Sequence, residues 1–192
     1  MSSRGLKADE KQALWSVQIA LDGIAIIVNP QNPVQALTAE QVRDIYAMNI
    51  TNWAELGGSN DKIHVVARED GSGTRTSFES LIMGQERITP KAIVQDSNGA
   101  VKQLVGQDPN SIGFISLGLV DQTVKDVALD GIQPTRGNVI NSTYGLYRPF
   151  LFLSKGEPTG LVKQFIDYTL SPDGQKILAD EGLIPSAEGA KK

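Results

Sequence analysis

Residues 68–75 are the part of this sequence best suited to binding a ligand. They read Arg-Glu-Asp-Gly-Ser-Gly-Thr-Arg, and they follow an apolar run at 63–67 that predicts a strand. Apolar residues with helical spacing follow the loop, so Ser72, Gly73 and Thr74 fall where a helix begins. The first amides of a helix have no partners within it and lie at the positive end of its dipole. The pattern predicts an anion site that needs neither a metal nor an organic cofactor.

Arg68 would end the strand, and its planar guanidinium could bind two oxygens of a tetrahedral oxyanion. We expect Asp70 to pair with Arg68 and to restrict its rotamers. The hydroxyls of Ser72 and Thr74 can donate further hydrogen bonds, and Gly73 lets the backbone approach a ligand closely. The loop alone leaves a second interpretation equally open, in which Ser72 only caps the helix and Arg68 is a solvated surface residue.

Other motifs with glycine-rich loops do not fit these residues. A P-loop requires Lys after its second glycine, and a dinucleotide-binding loop requires a third glycine where Thr76 stands. A nucleophile elbow around Ser72 would need glycines in place of Asp70 and Thr74. No base or metal cluster is evident near Ser72, which disfavours a phosphatase or esterase. The chain has no cysteine and one histidine, which excludes thiolate and multi-histidine metal sites.

Composition is that of an ordinary soluble globular protein. The 192 residues are 40% apolar and 21% charged, with a net charge of -4. No long basic run is present, which argues against nucleic-acid binding. No stretch approaches the ~20 apolar residues of a membrane helix, and the first ten residues lack the apolar stretch of an export signal.

Several segments predict the elements that would position the loop. A continuous apolar run at 24–28 predicts a buried strand, and Thr38 with Gln41 forms a capping box before a helix. Residues 160–170 predict a late helix, with four apolar residues facing inward: Leu161, Val162, Phe165 and Ile166. Strands alternate with helices throughout, which predicts an α/β architecture with mostly parallel sheets.

The loop at 68–74 resembles the phosphate loop of bacterial phosphate-binding proteins, the receptors of phosphate ABC importers. Further similar segments occur in the same order, at 36–46, 50–53, 111–116, 170–177 and 181–185. The resemblance implies a type II periplasmic-binding fold, in which two α/β lobes are joined by crossover strands. It implies that residues 1–27 and 146–192 form an incomplete first lobe, and that residues 28–145 form the second lobe, which carries the anion loop.

The resemblance also implies the roles of individual residues. Arg68, Ser72, Gly73 and Thr74 match the ligand contacts of the second lobe, and Asp70 matches the acid that pairs with the arginine. The resemblance further implies that this chain starts, at Met-Ser-Ser-Arg, after the strand–helix unit that opens the first lobe in the family. Some members carry an Asp in this segment, whereas here Ser3 and Arg4 could donate to the anion. The alternative is that this terminus is frayed.

The function implied is reversible capture of phosphate, or of a related tetrahedral oxyanion, outside the cytoplasm and delivery to an ABC permease. No catalysis is expected. The alternative is a truncated interaction or signalling module with weak or no anion binding. Removal of a strand–helix unit should expose a sheet edge and an apolar face. We therefore expect a homodimer or other oligomer in which another chain covers the gap.

Overall fold

The computed structural model describes residues 1–186, so residues 187–192 of the predicted first lobe lie outside the described part. Its helices are α1 (Ala8–Ala13), α2 (Ala39–Ala47), α3 (Gly73–Phe78), α4 (Asn98–Gln107), α5 (Arg136–Ile140), α6 (Gly160–Leu170) and α7 (Pro172–Asp180). Its strands are β1 (Trp15–Val28), β2 (Ala36–Leu37), β3 (His64–Arg68), β4 (Ile93–Gln95), β5 (Ser111–Ser116), β6 (Lys125–Asp126), β7 (Ala128–Leu129), β8 (Tyr147–Ser154) and β9 (Ile184–Pro185). A π-helical turn, Glu79–Met83, continues α3.

β1 connects two parts of the sheet. Residues 15–23 pair with β8, and residues 24–28 pair with β5. The apolar run at 24–28 is buried, as predicted, because both faces of this half of β1 are covered. The predicted strand is thus the end of a strand of 14 residues. Its first half pairs with β8 and β9 from the C-terminal part of the chain. Its second half pairs with β5 and β6 from the central part.

The main sheet is mixed, so the prediction of mostly parallel sheets is wrong. β3 runs parallel to β4 and to β5, whereas β1 is antiparallel to β5, β6, β8 and β9. Alternation of strands and helices along the sequence does not reveal that the first strand enters between later strands. One consequence concerns the site: the carboxyl ends of β3 and β5 lie at the edge where β1 crosses from its first half to its second.

An aromatic cluster packs α2 and α3 against the sheet. The rings of Phe78 and Phe114 stack with centroids 4.1 Å apart, and Tyr46 lies 4.7 Å from Phe78. All three side chains are fully buried. Thr38 and Gln41 cap α2 reciprocally, as the sequence predicts. Because Phe78 ends α3 inside this cluster, the first turn of α3 is held at the carboxyl edge of the sheet.

α6 spans the predicted residues, but its orientation corrects the sequence prediction. Only Ile166 of the four apolar residues faces inward, at 7% exposure. Leu161 is 81% exposed and Phe165 61% exposed, and Val162 is exposed as well. The sequence shows that this helix is apolar on more than one side, but one side alone is covered by the described chain.

No helix within residues 1–186 combines the length and apolar character needed to cross a membrane.

Candidate functional site

The predicted loop leads from β3 into the first turn of α3. Ser72 is the N-cap of α3, and its Oγ accepts a hydrogen bond of 3.3 Å from the amide of Arg75. Within residues 1–186, the amides of Gly73 and Thr74 have no hydrogen-bond acceptor. Capping uses a lone pair of Ser72 and leaves its hydroxyl hydrogen to donate. The capping interpretation and the anion-site interpretation are therefore compatible.

Local geometry explains how the chain reverses into α3. The amide of Ser72 donates to the carbonyl of Glu69 across 3.2 Å, which closes a tight turn. Gly71 lies at φ +89°, a left-handed conformation that glycine adopts without steric cost. The turn buries Ser72 and Thr74, which are 6% and 3% exposed. Two hydroxyls and two unpaired amides are thereby brought together at one helix end.

Arg68 ends β3, as predicted, but its guanidinium binds protein acceptors. Its Nε and Nη2 donate to the carboxylate of Glu69 at 2.8 and 3.0 Å. Its Nη1 donates to Asn98 Oδ1 at 2.9 Å, at the start of α4. The hydrogen bonds from Arg68 hold the pKa of Glu69 below its usual value. An incoming anion would compete with Glu69 for this guanidinium.

Asp70 does not pair with Arg68, and this part of the prediction is wrong. Asp70 Oδ1 lies 2.9 Å from Arg75 Nη1, and its side chain is 93% exposed. The turn at Gly71 points the carboxylate of Asp70 outward, while the neighbouring Glu69 reaches the guanidinium of Arg68.

The N-terminal segment lies against the loop. The amide and carbonyl of Ser2 pair with those of Leu151 at 2.8 Å in both directions. The carbonyl of Ser3 accepts from Ser77 Oγ of α3 at 3.3 Å, and Ser3 Oγ lies beside Gly73. Arg4 instead makes two hydrogen bonds of 2.7 Å to Glu10. The structure thus brings Ser3 to the loop, whereas the guanidinium of Arg4 is bound elsewhere.

A second arginine, which the sequence analysis missed, approaches the loop more closely than Arg4. Arg148 on β8 donates from Nη2 to Thr74 Oγ1 at 3.0 Å. A Cβ added at Gly73 would lie only 2.8 Å from Arg148 Nη1. Arg148 is 7% exposed and pairs with Asp22 on β1, which is 1% exposed. A buried ion pair therefore forms one wall of the site.

The sequence carried a signal for this pair. Asp22 lies two residues before the apolar run at 24–28, and Arg148 lies two residues before an apolar run at 150–153. One acid and one base beside predicted buried strands suggest a cross-strand pair. Burial raises the pKa of Asp22 above its usual value, while Arg148 and the hydroxyl of Ser116 oppose the rise.

An open cavity borders residues that pack against α3. No group of three or more His, Cys, Asp or Glu side chains within residues 1–186 could hold a metal ion. A cavity of about 190 Å³ opens between the N-terminal segment, α3 and β8, with Arg4 and Arg148 in its lining. The site is thus a set of hydrogen-bond donors at a helix start, with an open cavity nearby.

Comparison with known proteins places the chain in a family. A family model described as "PBP superfamily domain" matches residues 1–173. The phosphate-binding protein PstS of Bacillus subtilis (strain 168) is 37% identical over 186 residues, covering 93% of this chain and 61% of that relative. PstS of Borreliella burgdorferi is 26% identical, covering 96% of this chain and 71% of that relative. The chain therefore spans about three fifths of the length of the Bacillus relative.

Solved structures give the same result. A phosphate ABC transporter substrate-binding protein from Clostridium perfringens, solved with bound phosphate, is 47% identical with a TM-score of 0.86, covering 96% of this chain and 77% of that one. An ABC-type phosphate transport receptor from Vibrio cholerae is 42% identical with a TM-score of 0.86, covering 95% and 78%. These likenesses confirm the predicted fold, two α/β lobes joined by crossover strands. The named relatives are receptors rather than enzymes, in agreement with the expectation from sequence. The chain belongs to the PBP superfamily and, within it, to the PstS-like phosphate-binding proteins.

Proposed function

We propose that this chain reversibly binds inorganic phosphate, or a related tetrahedral oxyanion, as the receptor of an ABC importer. The observation that carries the proposal is the pair of unpaired amides at Gly73 and Thr74, next to the buried hydroxyls of Ser72 and Thr74. Such a helix start presents donors and a positive dipole to an anion. A relative with 47% identity was solved with phosphate bound.

We assign the remaining roles in the site to charged and hydroxyl side chains around the loop. Arg68 reaches the anion by exchanging its hydrogen bonds with Glu69 for two oxygens of the ligand. Ser3 donates from the opposite side, and Asp70 restricts the loop by its pair with Arg75. Arg4 acts on the anion only through its charge, from a distance, because Glu10 holds its guanidinium. None of these contacts forms or breaks a covalent bond, which suits reversible capture.

We propose in addition that residues 1–27 and 146–192 form the first lobe and that residues 28–145 form the second. The pairing of β1 supports two lobes, because residues 15–23 pair with β8 and residues 24–28 pair with β5, although the change of partner falls at residue 24 rather than 27. Movement of one lobe against the other about the crossover strands would admit the anion and then exclude water from it. An ABC permease receives the ligand from this receptor, and the receptor works outside the cytoplasm.

Titration calorimetry with inorganic phosphate tests the proposal. We expect binding with a dissociation constant in the micromolar range or below, and loss of binding in Arg68→Ala. Gly73→Ala should also lose binding, because the new Cβ would lie against Ser3 Oγ and Arg148 Nη1. Gly137→Ala is the matched control, since a Cβ there meets nothing within 4 Å.

The proposal fails if the folded wild-type protein gives no heat with phosphate, sulfate, molybdate or tungstate. That result would favour a module that takes part in interactions without binding an anion. Equal affinity of Gly73→Ala and Gly137→Ala would move the site away from the start of α3.

The same proposal includes a homodimer in which a second copy covers the outward face of α6. This face carries four exposed apolar side chains: Leu161, Val162, Phe165 and Tyr168. Contiguous exposed apolar surface is typical of interaction sites. Lys163 and Asp167 on the same helix neutralise each other at 2.6 Å, so two copies could approach without repulsion between like charges. A twofold contact would place identical stripes together.

Sedimentation velocity at micromolar concentration tests the dimer. Wild type should sediment as a dimer, and Phe165→Glu should sediment as a monomer. Val94→Glu is the control, because Val94 is also more than half exposed but lies on β4. A wild-type protein that is monomeric throughout this range would contradict the dimer and leave the phosphate proposal untouched.

A further inference from the structure

Arg148 is a buried arginine at the loop whose role the phosphate proposal does not use. We propose that Arg148 is a second arginine of the anion site: its Nη1 donates to the bound oxyanion, and its Nη2 orients the hydroxyl of Thr74 toward that anion. This inference rests on the proposed function and deepens it. It adds a positive group whose position is fixed before any ligand arrives.

The guanidinium is fixed by a pair across two strands. Asp22 on β1 stands directly opposite Arg148 on β8. Asp22 Oδ2 accepts from Arg148 Nε at 3.0 Å and from Nη2 at 2.8 Å, and Ser116 Oγ donates to Oδ1 at 2.5 Å. The side chains of Arg148 and Asp22 are 8% and 1% exposed. Binding an anion therefore requires little further ordering of this arginine.

One nitrogen of Arg148 remains free for a ligand. Within residues 1–186, Nη1 has no hydrogen-bond acceptor. No fully buried side-chain nitrogen or oxygen of these residues lacks a partner, so Nη1 must face accessible space. That space adjoins Gly73, because a Cβ there would lie 2.8 Å from Nη1 and against Ser3 Oγ.

The groups around this space are donors. They comprise the amides of Gly73 and Thr74, the Nη1 group of Arg148 and the hydroxyl of Ser3. Convergent donors with no carboxylate among them suit a multiply charged anion. Asp22 does not intrude, because hydrogen bonds from Arg148 and Ser116 occupy both of its oxygens.

The bond to Thr74 gives Arg148 its second role. Nη2 donates to Thr74 Oγ1 at 3.0 Å, so this hydroxyl accepts from the arginine and keeps its own hydrogen for another partner. Thr74 is 3% exposed and lies in the first turn of α3. Arg148 thereby leaves the hydroxyl hydrogen of Thr74 available to an anion bound at the start of α3.

Asp22 explains how Arg148 can stay buried when no anion is bound. A buried guanidinium without a partner would carry a large desolvation cost. Asp22 balances the charge of Arg148 and leaves Nη1 uncommitted. Arg68 differs, since its carboxylate partner Glu69, with a side chain 38% exposed, contacts the guanidinium through two nitrogens and has to be displaced.

The competing explanation is that Asp22 and Arg148 only join β1 to β8. Removal of the pair would then change stability but not affinity. The test uses Asp22→Asn/Arg148→Met, which removes both charges together and so leaves no unpaired buried charge. Phosphate affinity is measured by calorimetry and the fold by thermal unfolding and circular dichroism. Arg43→Met serves as the control, since among residues 1–186 the one ion contact of Arg43 is at the surface, 3.8 Å from Glu40.

We expect the double variant to bind phosphate about 10- to 100-fold more weakly, the effect of losing a charged hydrogen bond. Arg148→Lys keeps the charge but cannot hold Asp22, Thr74 and the anion at once, so it should lose about 10-fold. Arg43→Met should bind as wild type does. If the double variant does not fold, the affinity of Arg148→Lys decides between the anion-binding role and the purely structural role of Arg148.

A double-mutant cycle tests the action through Thr74. Thr74→Val removes the oxygen that Arg148 holds, whereas Thr74→Ser keeps it. Arg148→Lys should cost less affinity in the Thr74→Val background than in wild type, and the same in the Thr74→Ser background. Folded variants of Arg148 that bind phosphate like wild type would overturn the inference alone. A wild-type protein that binds no oxyanion would overturn the proposed function as well.

Discussion

The two halves of β1 lie in different surroundings. Its second half, from Ile24 to Val28, is at most 1% exposed and packs among large side chains of α2, α3, α4 and β5. Its first half pairs with β8 beside α6, a helix that turns Leu161 and Phe165 to the outside. Most of the apolar residues around the second half are buried, although Leu81 and Val94 remain exposed. The residues around the first half leave part of their apolar surface exposed, on the outward face of α6.

One region therefore supplies most of the stability of the fold, and the other leaves an apolar surface available to a partner. The loop at Ser72 is built on the self-contained half, so its geometry does not depend on a partner at α6. Arg148 and Asp22 stand where the two halves meet. An interaction that covers α6 would therefore act on the half that carries β8, while the amides of the loop remain in place.

The largest effect should come from the core around the second half. Phe114→Ala removes a fully buried ring stacked 4.1 Å from Phe78, and we expect a loss of about 3–5 kcal/mol in the free energy of unfolding. Phe165→Ala deletes the same atoms from an exposed position that contacts Phe152, and should cost about 1 kcal/mol or less. Urea unfolding at low protein concentration measures both. Similar losses for the two variants would abolish the contrast between the regions.

An intermediate effect should come from the junction of α7 with β1. Gln175 is 8% exposed; its Nε2 donates to the carbonyls of Ile19 at 3.0 Å and Thr169 at 2.8 Å. Gln175→Ala leaves these carbonyls without this donor and should lower the free energy of unfolding by about 1–3 kcal/mol. Lys176→Ala on the same helix, with a side chain 73% exposed, is the control and should change little. A loss as small as that of the control would mean that the terminal region is held without Gln175.

The smallest effect on the folded monomer should come from the outward face of α6. Leu161→Ala alters a side chain that is 81% exposed, so at low concentration the free energy of unfolding should change by about 0.5 kcal/mol or less. At high concentration, wild type should gain stability through association, and Leu161→Ala should gain less. Thermal unfolding over a hundredfold range of concentration makes the comparison. Transitions of wild type that do not depend on concentration would show that this face stays uncovered.

Local interactions were predictable residue by residue. The capping box of Thr38 and Gln41, the start of α3 at Ser72 and the burial of residues 24–28 each depend on neighbours within a few positions, or on apolar character alone. The loop proposed to bind the anion could be picked out for the same reason. Its fit to one family also rested on several segments in a conserved order along the chain.

Pairings between distant residues were not predictable in the same way. Arg148 meets Asp22 across 126 positions of sequence, and the choice of Glu69 over Asp70 as the partner of Arg68 depends on how one turn at Gly71 points its side chains. The direction of β1 among later strands likewise needs the assembled sheet.

The sequence by itself predicted the main helices and strands, the loop at 68–74 that we propose binds the anion, and the family. The tertiary structure decided which guanidinium stands beside Gly73 and which face of α6 is left open. The physical reason is that helix caps and apolar runs are set by short-range hydrogen bonds and burial. The position of a charged side chain and the covering of a helix face depend on which distant strands come together.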